Sequence, residues 1–472
     1  MNRFFATALV AMAAAGSISA QGVYTWNASQ SGGTGGSGTA WLRNAGAGAG
    51  ASENWVPAAG GGGTAGRMPG IDANASTTID GNANDIAVYN TIANLTSVIG
   101  MSNSSNNGVT ANGAANGRLQ VGAVQNASAG NFSLTLNASS LSPTPPGILQ
   151  LNGAFAGNTA SLATNTVLAA TNGNITIDRG GTNFLEIELG VNASMNAGSG
   201  RTITLNTMVG QTGGTRSLTK EGTGTLVLNQ FVAGIGTSTY AGGTTINAGT
   251  VQANYTGTGN NSTGTGAITV NNGGTLAGTG NAIGNVTVNQ GGRVIAGLGT
   301  AVNQTLTVGT ANAQVVTFDQ GTFFRAAVAT GSGLTDNTLT GASRLSMGTL
   351  EITTDLLTSS GGTQATSLNL ELVGTGLANG TYQRTIGTFT NLGGVISNAL
   401  VGNAVTLVPS DQATITPIGF SIDQATWSIV IDNNSKNVIV NFTVVPEPAT
   451  VLGLTAFIAF GGAAIRRKLR RA

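Results

Sequence analysis

Between residues 213 and 299, apolar residues fall on alternate positions in short runs broken by glycine and asparagine. Three stretches align: ITVNNGGTL over 268–276, VTVNQGGRV over 286–294, and TINAGTV over 245–251. Val270 and Val288 are 18 residues apart, and Ile246 precedes Val270 by 24, the Gly/Asn/Thr-rich stretch at 255–266 taking up the extra length. Each unit reads as a short alternating strand, a tight turn and a second short strand. A period near 20 residues built from short strands predicts one coil of a β-solenoid, in which each coil buries its apolar face only by stacking on the next. Alternation points Ile268, Val270, Val286 and Val288 inward and the threonines between them outward. Glycine suits corners that need φ > 0, and Asn271 and Asn289, at equivalent corners, are placed to form an amide ladder.

The pattern continues less regularly on both sides. Strands are predicted at 133–136, 174–178 and 184–189, while SLSPTPPGILQL at 140–151 reads as a rigid proline loop. Residues 230–239 read as an extruded loop. From 300 to 443 the spacing loosens, with late strands at 380–382 and 438–444. Trp427–Ile431 and Val438–Phe442 flank Asp432–Asn437 as a closing hairpin. Trp26, Trp41 and Trp55 lie among glycine runs, where they would plug the open end of a solenoid or offer a carbohydrate platform. The division that follows is a leader at 1–20, a cap with first coils at 21–81, a solenoid at 82–299, a less regular β region at 300–445, and a terminal segment at 446–472.

Composition agrees with an all-β chain. Of 472 residues 74 are glycine and only 7% are charged, which suits short strands and many turns better than long helices. There is no cysteine and no histidine. Disulfides, thiol chemistry, a Ser-His-Asp triad and a His-ligated zinc site are therefore excluded. The formal charge of +1 is set by the ends: six of the 18 basic residues lie in the leader and tail, so a body trimmed of both carries 12 against 17 acidic residues, a net of −5. A nucleic-acid partner finds no basic patch there.

The ends explain that imbalance. Arg3, an apolar stretch at 4–15 and small residues before Ala20 and Gln21 have the order of a secretory signal peptide cleaved between those two residues, which implies the secretion translocon and signal peptidase as partners. At the other end Pro446, Glu447 and Pro448 precede an apolar run from Ala449 to Ile465, followed by Arg466, Arg467, Lys468, Arg470 and Arg471. The run is 17 residues long, at the lower limit for one transmembrane helix, and the cations would hold its end in the cytoplasm. This succession resembles the PEP-CTERM sorting signal of exopolysaccharide-producing bacteria. The resemblance implies an exosortase that recognises the triplet and cleaves near it, a transient inner-membrane anchor, and release to the cell envelope or extracellular matrix.

A second resemblance covers part of the body. Leu218-Thr-Lys-Glu-Gly-Thr-Gly-Thr-Leu-Val-Leu228 and Tyr240-Ala-Gly-Gly-Thr-Thr-Ile-Asn-Ala-Gly-Thr-Val251 are similar to the autotransporter-associated β-strand repeat. That family implies a right-handed parallel β-helix, to which the tryptophan-bearing start and the loosened region after residue 300 would add irregular capping ends. Such folds also host polysaccharide lyases, whose sites cluster carboxylates with Arg or Lys. Here Asp72, Asp80, Asp85, Asp178, Glu186, Glu188, Glu221, Asp319 and Asp336 are scattered. Glu186 and Glu188 share one strand face, read as a solvent face, beside Asp178-Arg179, the one local group worth testing. Gly60–Gly63 lacks the Lys-Ser/Thr of a phosphate loop. No catalytic residue, metal site or cofactor is assigned. The expected function is structural or adhesive and associated with exopolysaccharide; a β-helix lyase or hydrolase and an autotransporter-like adhesin passenger are the alternatives.

Overall fold

The computed structural model describes most of residues 118–446, with breaks at 138–146, 181–184, 230–236, 256–260, 300, 310–313, 330–334, 337–341, 353–367, 375–376, 394–402, 410 and 412, together with short strands at 23–26, 55–57, 71–72, 86–89, 95–102 and 108–110. The described residues hold strands and turns but no helix. The leader, Trp41, Gly60–Gly63, Glu447, Pro448, the apolar run and the basic tail lie outside them. Among the described residues no helix is long and apolar enough to cross a membrane.

Successive strands are dealt in turn to parallel sheets, which makes the body a β-solenoid. The aligned repeats define it best. Ile246 lies beside Val270, and Val270 beside Val288, the register expected from the sequence. The second sheet follows one step later in each coil, with Leu226 beside Val251 and Val251 beside Leu276. A third sheet pairs Arg118–Val121, Gly147–Leu151, Leu185–Leu189 and Met208–Gln211 in parallel. It continues through irregular segments, held by Thr239 N to Val209 O at 2.9 Å, Ser238 N to Asn261 O at 3.0 Å and Ser262 N to Asn281 O at 3.0 Å. Coils thus have three faces where the repeat units alone give two strands. The second sheet has 12 strands; at ~4.8 Å per strand its stack is about 50 Å long.

The interior follows from the alternation. Leu218, Leu226, Ile246, Val251, Ile268, Val270, Leu276, Val288 and Val294 are fully buried and belong to one core running from Ala87 to Val444. Burying such a side chain contributes about 1.5–3 kcal/mol, and the core grows by a layer with every coil. A smaller cluster lies outside the first rungs, where the excursion after Leu151 lays Ala154, Phe155 and Leu162 over Ile86, Val88 and Ala123.

Three expectations need correction. Gly147–Leu151 is a strand with Ile148, Leu149 and Leu151 buried; the prolines that suggested a loop end at Pro146, and the apolar run after them joins the third sheet. The stretch at 255–266 is not wholly spacer, because Asn261, Ser262 and Thr263 are buried and form part of a rung. Of the loop at 230–239, residues 230–236 lie outside the described chain, whereas Ser238 is buried in the third face.

Both ends of the stack change pattern. At the N-terminal end Val23–Trp26 pairs antiparallel with Trp55–Pro57, aligning Trp26 with Trp55, and parallel with Ile86–Tyr89. At the C-terminal end Gly380–Gly393, Asn437–Val445, Ser428–Asp432 and Ala404–Leu407 pair antiparallel, and the hairpin around Asp432–Asn437 is formed. Tyr382 stacks on Phe442 with centroids 5.4 Å apart, and Trp427 is buried in the same cap. Parallel stacking of the second sheet extends beyond residue 299 to Ala413–Ile418, which carries Pro417 at the sheet edge. A proline costs no ladder bond on an edge strand.

Candidate functional surfaces of the solenoid

The corner between the first and second sheets concentrates the polar chemistry. Asn271 Nδ2 donates to Asn247 Oδ1 at 2.8 Å and Asn289 Nδ2 to Asn271 Oδ1 at 2.6 Å, so the predicted amide ladder exists. It ends on a carboxylate, because Asn247 Nδ2 donates to Glu221 Oε1 at 2.6 Å. A second ladder runs at the end of the second-sheet strands. There Asn254 donates to Asn229 at 2.9 Å, Asn229 to Asn206 at 3.2 Å, and Asn206 to Asp178. In both, the amides donate toward the N-terminal end and a carboxylate, which only accepts, terminates the file.

Beside the first ladder the chain turns on glycines. Gly249, Gly273 and Gly291 have φ of 68°, 81° and 77°. Their amides link coil to coil: Gly249 N to Gly273 O at 3.1 Å and Gly273 N to Gly291 O at 3.3 Å. A Cβ on Gly249 would collide with the carbonyl oxygens of Gly224 and Gly222, whereas one on Gly273 meets nothing within 4 Å.

Lys220 lies inside this corner and is fully buried. It stands in register between Met195 and Ile246. Its Nζ donates to Glu221 O and Gly222 O, both at 2.7 Å, and to Ala248 O at 3.2 Å. Three carbonyls match the three donors of an ammonium and tie one coil's turn to the next. Burial pushes its pKa down from 10.5 to about 8, against the upward pull of the Glu221 charge. Tyr240, also buried, bonds Thr244 Oγ1 at 2.7 Å, and burial moves its phenol well above its usual range.

On the outer side of the second sheet Glu371 receives two arginines. Arg293 grips it with both Nε and Nη2, at 3.1 and 2.9 Å, and Arg325 Nε donates at 2.7 Å. Arg293 also lies over the Phe323 ring at 4.9 Å. Two more arginines are internal: Arg344 Nε bonds Thr385 O at 3.1 Å, and Arg384 donates to Gln383 O and Ala329 O at 2.8 and 3.1 Å.

Of the carboxylates singled out in the sequence, Asp80 and Asp85 lie outside the described residues, and Asp178, Glu188, Glu221 and Asp319 serve separate parts of the stack. Asp178 is a ladder terminus that also accepts from Ser133 Oγ at 3.4 Å. Glu186 and Glu188 do share one face, opposite to inward Ile187 and Leu189, but that face is not open to solvent there: Glu186 is half-buried and Glu188 buried. Among the described residues no three His, Cys, Asp or Glu side chains gather as for a metal ion. Pro446 is exposed, directly after the last strand; Ala20, Gln21 and the rest of the terminal motif lie outside the described residues. Sequence reasoning missed Lys220 and Glu371. The parity of Lys220 with inward Leu218 was the available signal for the first; for Glu371, 78 residues from Arg293, there was none.

Residues 218–253 match the profile of the passenger-associated-transport-repeat, supporting an autotransporter-passenger-like repeat. The match contains Lys220, Glu221, Asn247 and Gly249, so the corner just described is largely built from this repeat. No curated protein and no solved structure matches the chain.

Proposed function

We propose that this chain is an exported bacterial surface or matrix protein whose β-solenoid serves as a structural or adhesive scaffold of the passenger type, without catalysis of its own. The observation that carries the reading is the passenger-type repeat at 218–253, folded into a continuous stack with different pairing at each end. Repeated coils give a stiff body at low contact cost per residue, and their outward Thr and Asn side chains offer hydroxyls and amides to polysaccharide. The repeat also favours a plain autotransporter-like passenger. The terminal motif supports a different route of delivery: signal peptidase acts after Ala20, and an exosortase acts near Pro446-Glu447-Pro448. Proline fixes its own φ and disfavours helix in the residue before it, so a Pro-Glu-Pro sequence suits a segment that a processing enzyme must grip.

Intact mass of the protein recovered from its producing cells tests the delivery. The expected product begins at Gln21 and ends between Pro446 and Ala449. A product that still ends in Arg471-Ala472 overturns exosortase sorting and leaves the passenger reading. Turnover of any member of a panel of polysaccharides by the purified body overturns the non-enzymatic reading.

A further inference from the structure

The sheet face bearing Glu371 holds the densest charge on the described surface of the second sheet. Arg293, Phe323 and Asn369 are register neighbours on successive coils, as are Ile295, Arg325 and Glu371. Glu371 is thus next to Arg325, while Arg293 reaches it diagonally across Phe323. Two guanidinium groups share one carboxylate, leaving a local net charge of +1 in a body that is otherwise acidic. Glu371 takes Arg293 as a fork and Arg325 through Nε only. The two arginine side chains keep about 30% of their surface, at 30% and 29%, and the glutamate 11%. No Nη contact of Arg325 accompanies its Nε bond among the described residues, so the guanidinium is anchored by one nitrogen on a side chain that is 29% exposed. Its two Nη groups match a second carboxylate in bidentate geometry. Next to it Asn369 and Thr414 are joined at 2.9 Å, adding neutral polar groups of the kind that meet sugar hydroxyls.

We propose that Arg325, positioned by Glu371 and Arg293, is a carboxylate-binding subsite for an acidic, uronate-bearing polysaccharide. The inference deepens the polysaccharide-associated reading and rests on it, but it fails separately, since the processing and turnover experiments do not involve this cluster. Glu371 has two roles that a simple staple would not separate. It neutralises Arg293, and it anchors Arg325 through Nε while reducing the attraction of that guanidinium for a second anion.

The test uses the full secreted chain and immobilised polygalacturonate, with unmodified dextran and dextran sulfate as comparison matrices. Arg325→Gln removes the spare charge and leaves the Arg293–Glu371 fork in place; Glu371→Gln raises the local charge to +2. The expected result is salt-sensitive retention on polygalacturonate, weakened about tenfold by Arg325→Gln and strengthened severalfold by Glu371→Gln, with no retention on dextran. Opposite signs for the two variants are required, and circular dichroism melts confirm that both stay folded. Absence of retention, equal retention of Arg325→Gln, or weakening by both variants overturns the subsite. Equal retention on dextran sulfate overturns its assignment to uronate carboxylates.

Discussion

Raising the pH from 7 to 9.5 should stabilise this protein, and Lys220 should be the reason. Its ammonium is fully buried among three carbonyl oxygens, with a pKa near 8 in place of 10.5. The unfolded chain keeps its proton up to about pH 10.4. Between those values the unfolded state binds more protons than the folded one, so unfolding becomes harder as pH rises. Below pH 8 the folded protein must bury the charge, and that cost is relieved as the pH passes through 8. From pH 7 to 9.5 the gain amounts to roughly 2 kcal/mol at about 1.36 kcal/mol per pKa unit. The window is unusually clean, since the chain has no histidine and no cysteine. Tyr240, protonated in the folded state, acts with opposite sign only towards pH 10 and above. Urea denaturation of the wild type and of Lys220→Met at pH 7, 8, 9 and 9.5 measures the effect. The wild-type curve should rise by that amount relative to the variant. Parallel curves, or a wild type that loses stability relative to Lys220→Met, would refute the buried ammonium.

Other consequences follow from the same coils. Val270→Asp and Val288→Asp should each abolish cooperative melting, because an unpaired carboxylate in the stacked core costs several kcal/mol; unchanged thermal transitions would sink the register. Gly249→Ala should cost more than 1 kcal/mol in chemical denaturation, through both its φ of 68° and the collision with neighbouring carbonyls. Gly273→Asn, also at positive φ but facing open space, should cost only a few tenths, and equal losses would contradict the corner geometry. Asn271→Asp removes the donor to Asn247 and sets two acceptors face to face, so it should lose about 1–2 kcal/mol at neutral pH. Part of that loss should return, relative to wild type, when acid protonates the new carboxyl. A pH-independent difference would mean that the ladder carries no directional bonding.

The parts of this fold that could be read from sequence are those in which adjacent coils repeat the same residues at the same offsets. Val-Asn-x-Gly recurs at 270–273 and 288–291, so inward valines, corner glycines and laddered asparagines all follow from one alignment. Lys220 obeyed the same parity, but its charge suggested the outside; the carbonyls that hold it belong to turns whose approach only stacking creates. The Arg293–Glu371 pair was invisible for a different reason. Excursions of unequal length separate the strands, and no offset predicts which residues become neighbours. The third face suffered similarly, since Asn261–Thr263 carries no alternating apolar signature. Gly147–Leu151 was obscured by the prolines just before it.

Proline itself has a further meaning at the limits of the stack. Pro57 lies in the strand paired with the first described strand, and Pro417 in the outermost strand of the second sheet. Each removes a hydrogen-bond donor from a place where another molecule would add its own strand. Large apolar side chains on the described surface are few, with Leu298 at 42% exposure the most open. Packed side by side at high density, such molecules would stay individual bodies instead of fusing end to end into fibrils. The length of one stack is then set by the coils of a single chain, not by the number of chains that meet.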